Sequence, residues 1–111
     1  VIVAEVRRDP AGRVTGFTVT GHSGQAPHGE DIVCAGVTAL SETAVLGLRH
    51  VAGALPQVEM RDGFLRCELP PVQGEQETRA QAILETLVLG LRDIARDYKS
   101  HLRVSETLGG K

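Results

Sequence analysis

The segment Ile32–Val51 constrains this chain more than any other. Val33, Val37, Leu40, Ala44, Leu48 and Val51 recur at three- and four-residue spacing, and Ile32, Ala39 and Leu46 make the opposite side apolar too. The spacing predicts a helix. A helix apolar nearly all round needs partners on more than one face. In a chain of 111 residues that means packing against a sheet together with a second helix or a second subunit. Asp31 is the expected N-cap, because its carboxylate can accept an orphan backbone N–H.

The remaining elements supply such a sheet. Val1 to Arg8 reads as a strand, with Ile2, Ala4 and Val6 on one face and Glu5 and Arg7 on the other. Asp9-Pro10-Ala11-Gly12 has turn chemistry, and Arg13 to Gly21 reads as the second strand of a hairpin. There Val14, Gly16, Thr18 and Thr20 are expected on one face, and Thr15, Phe17 and Val19 on the other. His22 to Glu30 reads as loop. Gln57 to Arg61 and Phe64 to Leu69 form a second hairpin around Asp62-Gly63. Gly74 to Thr78 reads as a polar linker, and Ala80 to Leu102 as a second helix with Ile83, Leu87, Leu91, Ile94 and Tyr98 in one stripe. The order ββαββα predicts an α+β fold: a small, mostly antiparallel sheet with two helices packed against it. A single domain over 1–104 is expected, followed by a flexible tail over 105–111.

Composition excludes several roles. Aromatic residues make up 3% of the chain with no Trp, and the formal net charge is −2. Base-stacking platforms need aromatics and phosphate grips need excess Lys and Arg, so direct nucleic-acid binding is not expected. No run of 18 continuous apolar residues predicts a membrane span. Val1–Val6 lacks the basic lead of a signal peptide. Two cysteines are too few for a disulfide framework, which fits free thiols in a cytoplasmic protein.

The chemistry gathers in Gly21-His22-Ser23-Gly24-Gln25-Ala26-Pro27-His28-Gly29-Glu30-Asp31-Ile32-Val33-Cys34. A histidine at a strand end precedes a cysteine in the expected first turn of a helix. A helix N-terminus favours a thiolate, a nearby imidazole can take the thiol proton, and free N–H groups there can hold an oxyanion. Asp31 can orient His22 or simply cap the helix. Thr38, one turn after Cys34, can hydrogen-bond near the thiol or back-bond to a helix carbonyl. Gly24 and Gly29 suit a loop that orders over substrate.

Blander readings account for other residues. Cys67 alternates with Leu65 and Leu69 on one strand face and reads as core. His50 and His101 lie near expected helix C-termini, where the dipole suffices to explain them. His22, His28, Asp31 and Cys34 are ligand types that zinc accepts, but their spacing matches no common zinc pattern, so no metal is expected. The glycine-rich loop lacks the Lys-Ser/Thr ending of a phosphate-binding loop.

These motifs resemble a known family. Gly21-His22-Ser23-Gly24 followed by Gly29-Glu30-Asp31-Ile32-Val33-Cys34-Ala35-Gly36-Val37-Thr38-Ala39-Leu40 is similar to the signature of the ribosomal-processing cysteine proteases (Prp). Glu85-Thr86-Leu87-Val88-Leu89-Gly90-Leu91, with Ile94-Ala95 and Tyr98, resembles that family's final helix. The resemblance implies a cytoplasmic endopeptidase that removes the N-terminal extension of a large-subunit ribosomal protein. It implies His22 as general base and Cys34 as nucleophile, with Asp31 in support, no cofactor, and a homodimer. Thr38 stands where the family typically has Ser, and Ser23 where it commonly has Ala. A module that binds a ribosomal protein or an assembly intermediate without cutting it is the alternative.

Overall fold

The structure, a computed structural model, describes residues 1–21 and 28–109, with backbone alone for 28–31. The elements are β1 (Ile2–Arg8), β2 (Val14–Thr20), α1 (His28–His50), β3 (Gln57–Arg61), β4 (Phe64–Glu68), α2 (Glu75–Asp97) and β5 (Leu102–Leu108). They build one sheet in the order β3-β4-β2-β1-β5. The pairs β1–β2, β2–β4 and β3–β4 are antiparallel, and β5 lies parallel to β1. The fold is α+β, as the alternation of hairpins and helices predicts.

Period-two patterning explains the layering. Ile2, Ala4 and Val6 of β1, Phe17 and Val19 of β2, and Leu65 and Cys67 of β4 are all buried. They meet Val33, Val37, Ala44, Val45 and Leu48 of α1 and Ala80, Leu84, Leu87, Val88 and Leu91 of α2. The other sheet face is polar. There Arg7 pairs with Glu5 and Glu68, and its guanidinium donates to Thr18 at 2.9 Å. One packed face and one wet face is the usual arrangement of an antiparallel sheet.

The helices run antiparallel, and glycine lets them approach closely. A Cβ added at Gly90 would lie 3.0 Å from Leu40, and one at Gly47 would lie 3.3 Å from Ile83. Ile32–His50 has the length and composition of a membrane span, with a mean hydropathy of 1.4. Thr38, Ser41, Glu42 and Thr43 interrupt it, however, and its apolar stripe is spent on the sheet and on α2.

Four boundaries differ from expectation. First, α1 begins at His28, so Gly29, expected in a loop, lies in the first turn. Asp31 lies there too rather than at the N-cap, and Cys34 falls in the second turn. Glu30 and Asp31 beside the positive end of the helix dipole favour this longer start. Second, α2 begins at Glu75, inside the expected linker; Glu75 and Glu77 favour its N-terminus, although Gly74 offers no side-chain cap. A first turn without apolar residues carries no periodic signal.

Third, β2 is bulged. Arg7 opposes Gly16 while Arg8 opposes Val14, leaving Thr15 as the extra residue. Val14 is thereby buried with Phe17 and Val19 rather than facing away from them. Fourth, α2 ends at Asp97 and residues 105–108 belong to β5 rather than to a flexible tail. The apolar stripe runs on through Tyr98 to Leu102 without a Gly or Pro to end it. Only pairing with β1, at the far end of the chain, makes Leu102–Leu108 a strand.

Candidate active site

Cys34 sits on α1, partly buried and packed against the core cluster. The stripe it starts continues through Thr38 to Ser41 and Glu42, at helical spacing. Thr38 is partly buried, and among the described residues its hydroxyl makes no hydrogen bond, so neither the bond near the thiol nor the alternative back-bond to a helix carbonyl is seen there. Ser41 is 1% exposed, and among the described residues its buried Oγ has no hydrogen-bond partner.

The helix start alters the electrostatic expectation. The first four N–H groups of a helix have no intrahelical acceptor, and the dipole effect fades beyond the first turn. In α1 those groups belong to residues 28–31. The amide of Cys34 lies inside the helical ladder and is not a free oxyanion donor. His22 and Gly24 lie outside the described residues, as do the side chains of His28 and Asp31. Of the four zinc-type residues in the motif, only Cys34 has a described side chain.

The strand that leads to His22 is firmly placed. Gly21 follows β2 with φ +100°, in the left-handed region, and its N–H donates to the carbonyl of Gly63 at 3.2 Å. A Cβ there would meet the Val1 carbonyl oxygen at 2.5 Å. Both conformation and space therefore require glycine at this position. The end of β2 and the Cys34 stripe of α1 border one cavity of about 360 Å3, to which Val19 and Thr38 both contribute.

Cys67 shows the contrast. It lies in β4 opposite Phe17 of β2 and Val58 of β3 and is 1% exposed. Burial, helped by the nearby Glu68 carboxylate, pushes its thiol up to about 11. This is the inert core cysteine that the alternation Leu65, Cys67, Leu69 predicts.

Sequence reading missed three residues of this region: Ser41, Met60 and Phe64, all on the cavity wall. Ser41 had a signal, seven residues after Cys34 on the same stripe. Met60 and Phe64 had none beyond membership of a hairpin.

A two-layer α+β scaffold carrying a part-exposed thiol on a helix suits thiol chemistry. The model of the cysteine protease Prp family matches residues 1–103, and the chain belongs to this family. It is 36% identical over 111 residues to the Bacillus subtilis ribosomal processing cysteine protease Prp, covering 97% of this chain and 99% of that protein. Its fold is similar to that of SMU.848 from Streptococcus mutans, with a TM-score of 0.89, 26% identity, and 98% and 96% of the two chains covered. It is also similar to the Staphylococcus aureus ribosomal processing protease Prp in complex with a covalently linked product peptide. There the TM-score is 0.83, at 25% identity and with 96% and 100% of the chains covered.

Proposed function

We propose that this protease removes the N-terminal extension of a large-subunit ribosomal protein. The observation that carries the reading is the end-to-end match to a relative named for ribosomal processing. The covalently linked product peptide in the Staphylococcus aureus relative supports a covalent route.

His22 accepts the proton of the Cys34 thiol, and the thiolate sulfur attacks the scissile carbonyl carbon. The carbonyl π pair moves onto oxygen. Thr38, one turn from the sulfur with an uncommitted hydroxyl, is the nearby side-chain donor that can support that oxygen. The C–N bond then breaks, His22 protonates the leaving amine, and a thioester remains on Cys34. Water, deprotonated by His22, attacks the thioester and releases the new carboxylate and the thiol. Asp31 acts by orienting His22. Gly24 belongs to the segment that closes over the peptide, and Gly29 lies in the first turn of α1 where that segment meets the helix. Neither metal nor cofactor enters these steps.

The reading extends to assembly and location: a cytoplasmic homodimer joined through the outer face of the helices. Ile32 and Leu46 of α1 and Leu89 of α2 are exposed there. A groove of about 470 Å3 runs between the helices, lined by small and apolar residues such as Ala39, Gly47 and Ile83. Sedimentation giving twice the chain mass supports the dimer; a single-chain mass overturns it.

Cleavage of the host's extended ribosomal protein, with Cys34→Ala as control, tests the activity. One cut by the parent and none by the variant is the expected result. Tight binding by both proteins with no cut by either would make the motif a scaffold.

A further inference from the structure

The far edge of the sheet is untouched by the chemistry at Cys34. There β5 pairs with β1 on one side, and among the described residues its other side is open. Such an edge presents unpaired backbone N–H and C=O groups. A groove of about 380 Å3 runs beside it, between β5 and the C-terminal half of α2. Ile94 of α2 faces α1, where a Cβ added at Gly36 would lie 3.4 Å from it. Arg92 and Arg96, two residues to either side of Ile94, lie on the opposite flank of the helix. The groove therefore faces away from α1 and from Cys34.

The groove is lined by cations. Arg92 and Arg96 of α2, Lys99 of the turn that follows and Arg103 of β5 are four of the 12 basic residues in a chain whose net charge is −2. Ala95, Leu102 and Val104 are its apolar lining. Three acids stand against the four cations. Glu106 accepts from Arg92 and from Arg8, while Asp93 and Asp97 accept from Arg96. Arg92 and Arg96 each keep Nη1 uncommitted among the described residues, and Lys99 and Arg103 have no acidic partner there.

Two observations select the occupant. A cationic lining calls for acidic groups, and an open strand edge calls for an extended polypeptide that continues the ladder. RNA meets the first demand alone, and the lining offers no aromatic ring for a base to stack on. Register fixes which side chains an added strand would meet. Leu102, Val104, Glu106 and Leu108 lie on the helix-facing side with Ile2, Ala4 and Val6, and Arg103, Ser105 and Thr107 lie on the other. Leu108, at the end of this edge, is 72% exposed and would be covered. Seven residues of β5 at about 3.3 Å each span roughly 23 Å, so a segment of similar length fits.

We propose that the β5 edge docks an extended acidic segment of a partner protein, which joins the five-stranded sheet as a further strand with its carboxylates along Arg92, Arg96, Lys99 and Arg103. Basic side chains on an edge also keep identical copies from pairing there. The charges that repel a second copy are the ones that attract an acidic strand. The docking uses neither Cys34 nor His22, so it stands apart from the proteolytic reading.

Backbone amide shifts of the isotope-labelled full chain test this. The probe is a synthetic peptide of the length of β5 that alternates Glu with Val. Saturable shifts should appear in β5 and in the last turns of α2, and their titration gives Kd. Replacing Glu by Lys in the peptide should abolish them. N-methylation of the peptide amides should abolish them too, because it removes the ladder donors and keeps the charge. The chain carrying both Lys99→Glu and Arg103→Glu, at exposed positions, should bind about tenfold more weakly with an unchanged melt. Equal binding of the methylated and parent peptides overturns strand addition. Tighter binding of an oligouridylate at the same amides overturns the acidic segment in favour of RNA. Unshifted β5 amides with every probe show that the cations only guard the edge, and the proposal falls.

Discussion

Cys34 and Cys67 share one scaffold and little else. Cys34 lies on α1, partly exposed, one helical turn before Thr38, which lines a cavity against the β3–β4 hairpin. Cys67 lies in β4 between Phe17 and Val58 and is all but sealed from water. Burial holds the Cys67 thiol protonated, since nothing solvates the charge a thiolate would carry. Residue type alone therefore does not make a nucleophile. A helix facing an opening supplies access, and a strand between two others removes it.

The sharpest way to break the comparison is to exchange the consequences of losing each thiol. Cys34→Ala should lower kcat/KM for the ribosomal-protein substrate by a factor on the order of 10³ or more with an unchanged melt. Cys67→Ala should keep kcat/KM within about twofold, and a denaturant titration should show a loss of about 1–2 kcal/mol from the methyl-sized cavity it leaves. A catalytic collapse in Cys67→Ala without unfolding would reverse the assignment.

Labelling with a thiol reagent near pH 8 extends the same contrast. In the folded protein Cys34 should react on the order of 10² times faster or more than Cys67, and denaturant should bring the two rates together. Because the folded-state value of Cys67 is raised, its stabilising effect is complete below the ordinary thiol pKa and fades as pH rises toward about 11. Labelling of Cys67 should therefore accelerate steeply above pH 10, which mass spectrometry after quenching can follow.

Gly21 sharpens the comparison from the other side, since it fixes the strand that leads to His22. Gly21→Ala forces a side chain onto φ +100° and against the Val1 carbonyl. A loss of about 1–3 kcal/mol is expected, together with a drop in kcat of about tenfold or more. Equal activity and an unchanged melt would show that the strand end does not position the histidine.

The smallest effect lies farthest from either thiol. Arg8 of β1 donates to Glu85 of α2 at 2.6 and 3.0 Å and to Glu106 of β5 at 2.7 Å. Its hydrogen bonds hold both carboxyls below their usual range. Depressed carboxyl values stabilise the fold above the ordinary carboxylate pKa and cease to do so as pH falls through the folded-state values. Arg8→Met should cost about 1 kcal/mol at pH 7, discounted for the partial exposure of these side chains. The gap from the parent should close in melts near pH 2, while kcat/KM at pH 7 stays within about twofold.

Much of the architecture is legible from periodicity. The first hairpin, the Asp62-Gly63 hairpin and both helices are strong local signals, and the alternation around Cys67 predicts its burial. The candidate site is legible in type, because a His, a Gly-rich segment and a Cys near the start of an apolar helix form an unusual motif. Its geometry is less so. Asp31 suits equally the N-cap of a helix starting at Ile32 and the first turn of one starting at His28, yet that shift moves Cys34 from the first turn to the second and commits its amide to the ladder. The placement of His22 against Cys34 lies outside the described residues.

The sequence by itself determines which segments can be helix or strand and which cysteine belongs to the core, because both follow from side chains a few residues apart. Tertiary structure alone decides three things. The Thr15 bulge turns Val14 inward because β1 and β2 must keep their register around it. Residues 102–108 become β5 because β1 offers an unpaired edge. The pocket beside Cys34 exists because a helix, an edge hairpin and the end of β2 meet there. Each depends on residues far apart in the chain, where no repeat or spacing records the contact.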